Sequence, residues 1–306
     1  MLNTTNTLEL NRQTSAAAMA ALARPAKEPC ASSGKPMKIK VGFEIAYAAP
    51  QPTPMVIMLN VHPSRSGDVI GEERIWAQPN VPISFFNDSF GNLCGRLTAP
   101  AGGVTLFGNA LVRDSGLPDE VAPYAQQMPI EQLPSDVLVY LMPSRYCETD
   151  KLADVAWELF KNTQPGWARV QAISTFVHNH IKFDYMKADP NKTAFGVYQE
   201  KTGVCRDFAH LALTLCRCMN IPARYVTGYM GDIGVPIDPA PMDFSGWFEV
   251  YLSGRWYTCD ARHNKPRIGR ILMGTGRDAA DVALTTTFGK VELKKFLVIS
   301  DEVIER

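Results

Sequence analysis

A sustained alternation of apolar and polar positions begins at Met37. Ile39, Val41, Phe43, Ile45 and Tyr47 take every second place, with Lys38, Lys40 and Glu44 between them, so this stretch predicts a strand with one buried face. It runs into Pro50, Pro52 and Pro54. A second apolar run over 55–61 follows, bounded by turn-rich sequence at 63–68. Asp88-Ser89-Phe90-Gly91-Asn92 reads as a turn ahead of further strand-like sequence to Arg113. Short apolar runs broken by turn residues predict a small β-sandwich domain over 37–114. Residues 115–152 carry several prolines and little periodicity, which predicts an extended connection.

From residue 153 the period changes to that of a helix. Ala153, Ala156, Trp157 and Phe160 share one face, as do Val170, Ile173, Val177 and Ile181 further on. A third helix is expected over 204–219, with Phe208, Leu211, Ala212, Leu215 and Met219 inward and Pro222 beyond its end. A strand is expected at 224–229. After a Pro-rich loop, 247–252 and 255–260 flank Ser253-Gly254, a two-residue hairpin turn. In that register Trp247 faces Asp260 and Ser245 faces Arg262. Helices first and strands afterwards give 153–300 the character of an α+β domain.

Composition narrows the function classes. At 306 residues the chain suits two domains, and 46% hydrophobic with 20% charged residues is ordinary for a globular protein. Lysine and arginine together number 31, as do aspartate and glutamate, so no broad basic field exists for nucleic acid or an anionic membrane. No apolar run approaches the length of a membrane span. Seven cysteines without a regular spacing read as free thiols in a reducing compartment, the cytoplasm. Residues 1–36, rich in Ala, Ser, Thr and Asn, predict a disordered tail rather than a targeting signal. Cys216 and Cys218 lie two apart on a helix and diverge, so they make no zinc half-site; neither a metal nor an organic cofactor is implied.

The candidate chemistry centres on Thr202-Gly203-Val204-Cys205-Arg206-Asp207. A cysteine in the first turn of a helix meets unpaired backbone N–H groups and the positive helix end, which favour thiolate and can receive an oxyanion. Arg206 adds positive charge nearby. The bland alternative is a cysteine packed as a small hydrophobe. Gly203-Val-Cys205-Arg-Asp207-Phe-Ala209, then Asn220-Ile-Pro-Ala-Arg-Tyr-Val-Thr-Gly-Tyr229, then Trp247-Phe-Glu-Val-Tyr251 and Trp256-Tyr-Thr-Cys-Asp260 follow in one order. Together they resemble the transglutaminase-like superfamily, and Tyr47, Pro52 and 88–92 resemble the β-domain upstream of the core in its bacterial cysteine-protease members. The resemblance implies a papain-like core and acyl transfer through a thioester by a Cys, His and Asp triad.

Residue by residue, Cys205 matches the nucleophile and Asp260 the acid that orients the imidazole. The family's His-Ala-Trp is here Ser245-Gly246-Trp247, so the usual base is absent. Among His62, His178, His180, His210 and His263, the last is the best placed to replace it, because 261–264 runs past the vacated corner. Strict alternation points it to the opposite face, so the replacement needs a bend. The expected function is therefore a thiol-dependent amide hydrolase or acyltransferase on a peptide or protein substrate. The alternatives are a weakened or inactive relative that binds a peptide or partner in the former cleft, and a transferase with an already activated acyl donor.

Overall fold

A computed structural model describes residues 34–304, so the expected N-terminal tail lies outside the described residues except for 34–36. The alternating stretch forms β1 (Met37–Ala48), whose Ile39, Val41, Phe43, Ile45 and Tyr47 are all buried. It is followed by β2 (Thr53–Ile57), β3 (Arg74–Gln78), β4 (Ser84–Asn87), β5 (Leu93–Ala99) and β6 (Val104–Asp114). The connection over 115–148 holds no strand and only short 3-10 turns at Ile130–Gln132 and Leu138–Leu141. Its prolines and polar residues offer neither a helical nor a strand period to bury.

Four helices begin the second half: α1 (Thr149–Phe160), α2 (Trp167–His180), α3 (Ala194–Glu200) and α4 (Cys205–Cys218). The two-residue strands β7 (Lys182–Phe183) and β8 (Thr202–Gly203) pair in parallel and tie the end of α2 to the start of α4. A sheet follows, built from β9 (Ala223–Met230), β10 (Ser245–Leu252), β11 (Arg255–Cys259) and β12 (Arg270–Gly276), in the order β11-β10-β9-β12. The hairpin has the register read from the sequence, with Leu252 opposite Arg255 and Phe248 opposite Cys259. Ser253 and Gly254 both have positive φ, at 47° and 84°, as a two-residue turn between twisted strands requires.

α4 is the centre of this half. Phe208, Leu211, Ala212 and Leu215 pack with Phe248, Val250 and Leu252 in one apolar cluster that also takes residues from α1, α2 and α3. The helix is buried all round rather than on one stripe, so its polar side chains need partners. Arg217 finds them in the carbonyls of Ala223, Met142 and Arg277 and the Ser144 hydroxyl. Thr214 donates to the His210 carbonyl at 2.6 Å.

The chain then returns to its beginning. β13 (Thr285–Thr287) pairs with β2, and β14 (Glu292–Glu302) pairs with β1, giving sheets ordered β13-β2-β5-β4 and β14-β1-β6-β3. The sequence boundary at 300 therefore falls within a strand of the N-terminal sandwich. β14 alternates too weakly to announce a partner some 250 residues earlier in the chain, because most of its positions are exposed or half-buried. The 88–92 turn fastens the two halves: Asn92, fully buried, donates to the Thr275 carbonyl and accepts the Thr275 N–H, both at 2.8 Å.

Candidate active site

The approach to α4 is set by Gly203. A Cβ at that position would come 2.7 Å from the Asp207 side chain, so glycine lets Asp207 curl back and accept the Val204 N–H at 2.9 Å. That bond caps the first turn and makes Cys205 the first helical residue. Arg206 turns away from the thiol. It pairs with Asp207 at 2.9 Å, donates to the carbonyls of Asp189 and Pro190, and lies over the Tyr146 ring.

The positive charge that acts on the Cys205 thiol comes instead from Arg262, whose guanidinium sits 3.8 Å from the centre of the Phe183 ring. Burial pushes the thiol up, Arg262 pulls it back, Asp243 opposes ionisation and the Gly246 N–H favours it; the net position lies above the ordinary thiol value. Burial is the largest of these influences.

Cys205 opens onto a cavity of about 300 Å³ between the core and the sandwich. The core contributes Tyr185, Tyr225, Asp243, Ser245 and Gly246, and the sandwich contributes Ile45, Tyr47, Leu293 and Phe296. Ser245 is buried, and its hydroxyl makes no hydrogen bond among the described residues. None of the five histidines, all of them described, lines this cavity. His62 accepts the Ser64 N–H at 3.2 Å in the sandwich. His180 donates to the Tyr198 carbonyl at 2.7 Å, and His210 accepts the Ala279 N–H at 3.1 Å while stacked on Tyr146. His178 donates to the Arg262 carbonyl at 2.9 Å and so holds the segment that presents Arg262.

His263 meets Asp260 rather than the cavity, with Nδ1 2.9 Å from Oδ2. Asp260 also accepts the backbone N–H groups of Arg262 and His263 at 2.9 and 3.1 Å, and Arg270 Nη2 at 2.8 Å. Arg270 in turn pairs with Asp119 at 2.9 Å and lies over Trp247. Burial alone would raise Asp260, but the Arg270 charge and the His263 hydrogen bond hold it well below the usual carboxylate range. Strand residues alternate faces, so Phe248 and Val250 point to α4 while Trp247 and the Asp260 cluster occupy the other side. The structure brings Asp260 and His263 together, while Cys205, Asp243, Ser245 and Gly246 line one cavity that neither Asp260 nor His263 reaches.

Asp243, Arg262 and Gly246 were not singled out as site residues from the sequence. A signal existed for Arg262, since the hairpin register already set it opposite Ser245. Asp243 stands two residues ahead of the altered His-Ala-Trp position. Among the described residues no cluster of three metal-ligating side chains occurs.

A cysteine opening α4, a following strand, and a hairpin that ends in aspartate match known proteins. Residues 153–261 fit the family model of the transglutaminase-like superfamily. Those residues form a transglutaminase-like domain. A crystal structure of a candidate cysteine protease from Cytophaga hutchinsonii is 28% identical, with a TM-score of 0.76, covering 89% of this chain and 92% of its own. The match thus takes in the sandwich as well as the transglutaminase-like core. An uncharacterised protein of Mycobacterium leprae is 30% identical over 151 residues, 47% of this chain and 52% of its own. The chain spans about half the length of that curated relative. The periplasmic domain of TgpA from Pseudomonas aeruginosa is more remote, at 15% identity and a TM-score of 0.36 over 81% of this chain and 94% of its own. No helix among the described residues is long and apolar enough to cross a membrane.

Proposed function

We propose that the protein is a thiol-dependent amide hydrolase or acyltransferase that acts on a peptide-like substrate through a thioester on Cys205. The observation that carries this reading is the seat of Cys205: first residue of a buried helix, partly exposed to a cavity that Gly246 also lines, with the Arg262 charge acting on its thiol. Backbone donors at such a helix end lie where a tetrahedral oxyanion forms. Apolar walls from Ile45, Leu293 and Phe296 suit an uncharged side chain beside the scissile amide. Likeness to the Cytophaga hutchinsonii protein over both halves supports the same class of chemistry.

In this reading Cys205 is the nucleophile. Asp260 orders the 260–264 segment and thereby aims Arg262, and His263 acts through Asp260 rather than on the thiol. The free cysteines at 94, 147, 216, 218 and 259 fit a reducing compartment such as the cytoplasm. A panel of peptide p-nitroanilides, with and without an amine acceptor, tests the proposal. Turnover that disappears in Cys205→Ala supports it, and turnover that survives the substitution refutes it. The raised thiol favours a second reading, a weakened relative that binds a peptide without cleaving it. Under that reading iodoacetamide modifies Cys205 no faster than an ordinary exposed thiol, and peptides bind without turnover.

A further inference from the structure

The cavity at Cys205 contains a nucleophile but no imidazole, so the thiol proton needs another acceptor. Two carboxylates line it, Asp189 and Asp243. Asp189 accepts the Asn191 N–H at 2.9 Å and serves its own loop turn. Asp243 stands two residues before Ser245 at the entry to β10, beside the corner where the family's histidine would stand. From these placements we propose that Asp243 is the proton carrier of the Cys205 reaction. The inference rests on the thioester reading above and names the group that completes it.

The groups that share the site with Asp243 come from each surrounding element. Cys205 from α4, Tyr185 from the 3-10 turn at Tyr185–Lys187 and Tyr225 from β9 line the same cavity as Asp243, and the Arg262 charge acts on it from the segment after β11. Burial pushes the Asp243 carboxyl up to about 6, against the Phe244 N–H and the Arg262 charge, which draw it down. A carboxyl near neutrality can both take a proton and return it. In acylation the Cys205 sulfur bonds to the amide carbon, and the thiol proton passes to the Asp243 carboxylate. As the C–N bond breaks, the departing amine takes that proton from Asp243. Water or an acceptor amine then attacks the thioester and yields a proton to Asp243. The C–S bond breaks, and the proton returns to the Cys205 sulfur.

The test compares the wild type with Asp243→Asn, Asp243→Glu, His263→Ala and Cys205→Ala on an apolar peptide p-nitroanilide, alongside iodoacetamide alkylation. Asp243→Asn is expected to lower kcat/KM by about 100-fold or more and to remove the acid limb of the pH profile. Its Cys205 should alkylate at least as fast as the wild type, because a negative neighbour has gone; a merely collapsed site would not give this split. Asp243→Glu should recover part of the rate with a displaced limb, and His263→Ala should keep the limb. Asp243→Asn turnover within about threefold of the wild type, or a limb removed by His263→Ala instead, overturns the proposal. Turnover that survives in Cys205→Ala, or is absent from the wild type, overturns the thioester reading and this inference with it.

Discussion

Asp260 and Asp243 flank the same hairpin and are held in opposite states. Asp260 sits behind the sheet, where Arg270, the His263 ring and two backbone N–H groups meet its oxygens, and its charge is secured. Asp243 sits beside Cys205 in a cavity with apolar walls, where burial outweighs the help of Arg262 and the Phe244 N–H. The first is a carboxylate that structure can lean on. The second can change charge near neutral pH, which suits chemistry and burdens stability. The contrast separates a framework cluster from a reacting one, although both carry the same side chain.

The largest effect should come from the framework side. Asp260→Ala leaves Arg270 buried without one of its two carboxylate partners, and breaking a buried pair costs about 3–5 kcal/mol. Urea unfolding at pH 7 measures it; a loss under about 1 kcal/mol would mean that Asp119 compensates alone. The pH dependence has a definite sign. A carboxyl held low in the folded state stabilises above its unfolded value near 4, and that stability goes only as pH falls further, through the folded value.

A smaller effect is expected from Arg262→Gln. Without the guanidinium the thiol moves further up, and alkylation of Cys205 at pH 7.5 should slow by about three- to tenfold. An unchanged rate would assign the thiol's state to burial alone. The smallest effect, on the order of 1 kcal/mol, should run the other way. Asp243→Asn should stabilise the protein at pH 7.5, because the native carboxyl lies above its unfolded value and loses stability as pH rises from about 4 to about 6. Thermal unfolding at pH 4 and at pH 7.5 checks this: the advantage should appear only at the higher pH, and a variant less stable there would make Asp243 part of the framework.

Much of the fold was legible because its elements carry strong periods. The β1 alternation is buried as its pattern predicts, α4 and the Ser253-Gly254 turn lie where the local sequence sets them, and only the all-round burial of α4 goes beyond its apolar stripe. The return of β13 and β14 to the sandwich was not legible, since long-range strand pairing leaves little trace in a half-exposed sequence. For the site, the place of Cys205 followed from a helix start and a family pattern. The opposed settings of Asp243 and Asp260 did not, because each depends on the burial and the charged side chains that the fold gathers around it. The register sets Arg262 opposite Ser245, but no local pattern distinguishes the arginine from the histidine beside it as the group that acts on the thiol. Burial, which raises the thiol, is a tertiary property that no local motif records.

Thioester formation on Cys205 is the claim on which the rest depends, and trapping it is the most direct test. The protein is mixed with an apolar N-acyl p-nitrophenyl ester, quenched in acid within seconds, and read by intact and peptide mass. The account predicts one added acyl group, on the peptide bearing Cys205, absent in Cys205→Ala and discharged by hydroxylamine. Acylation confined to another residue, or none while the ester is consumed, would contradict it.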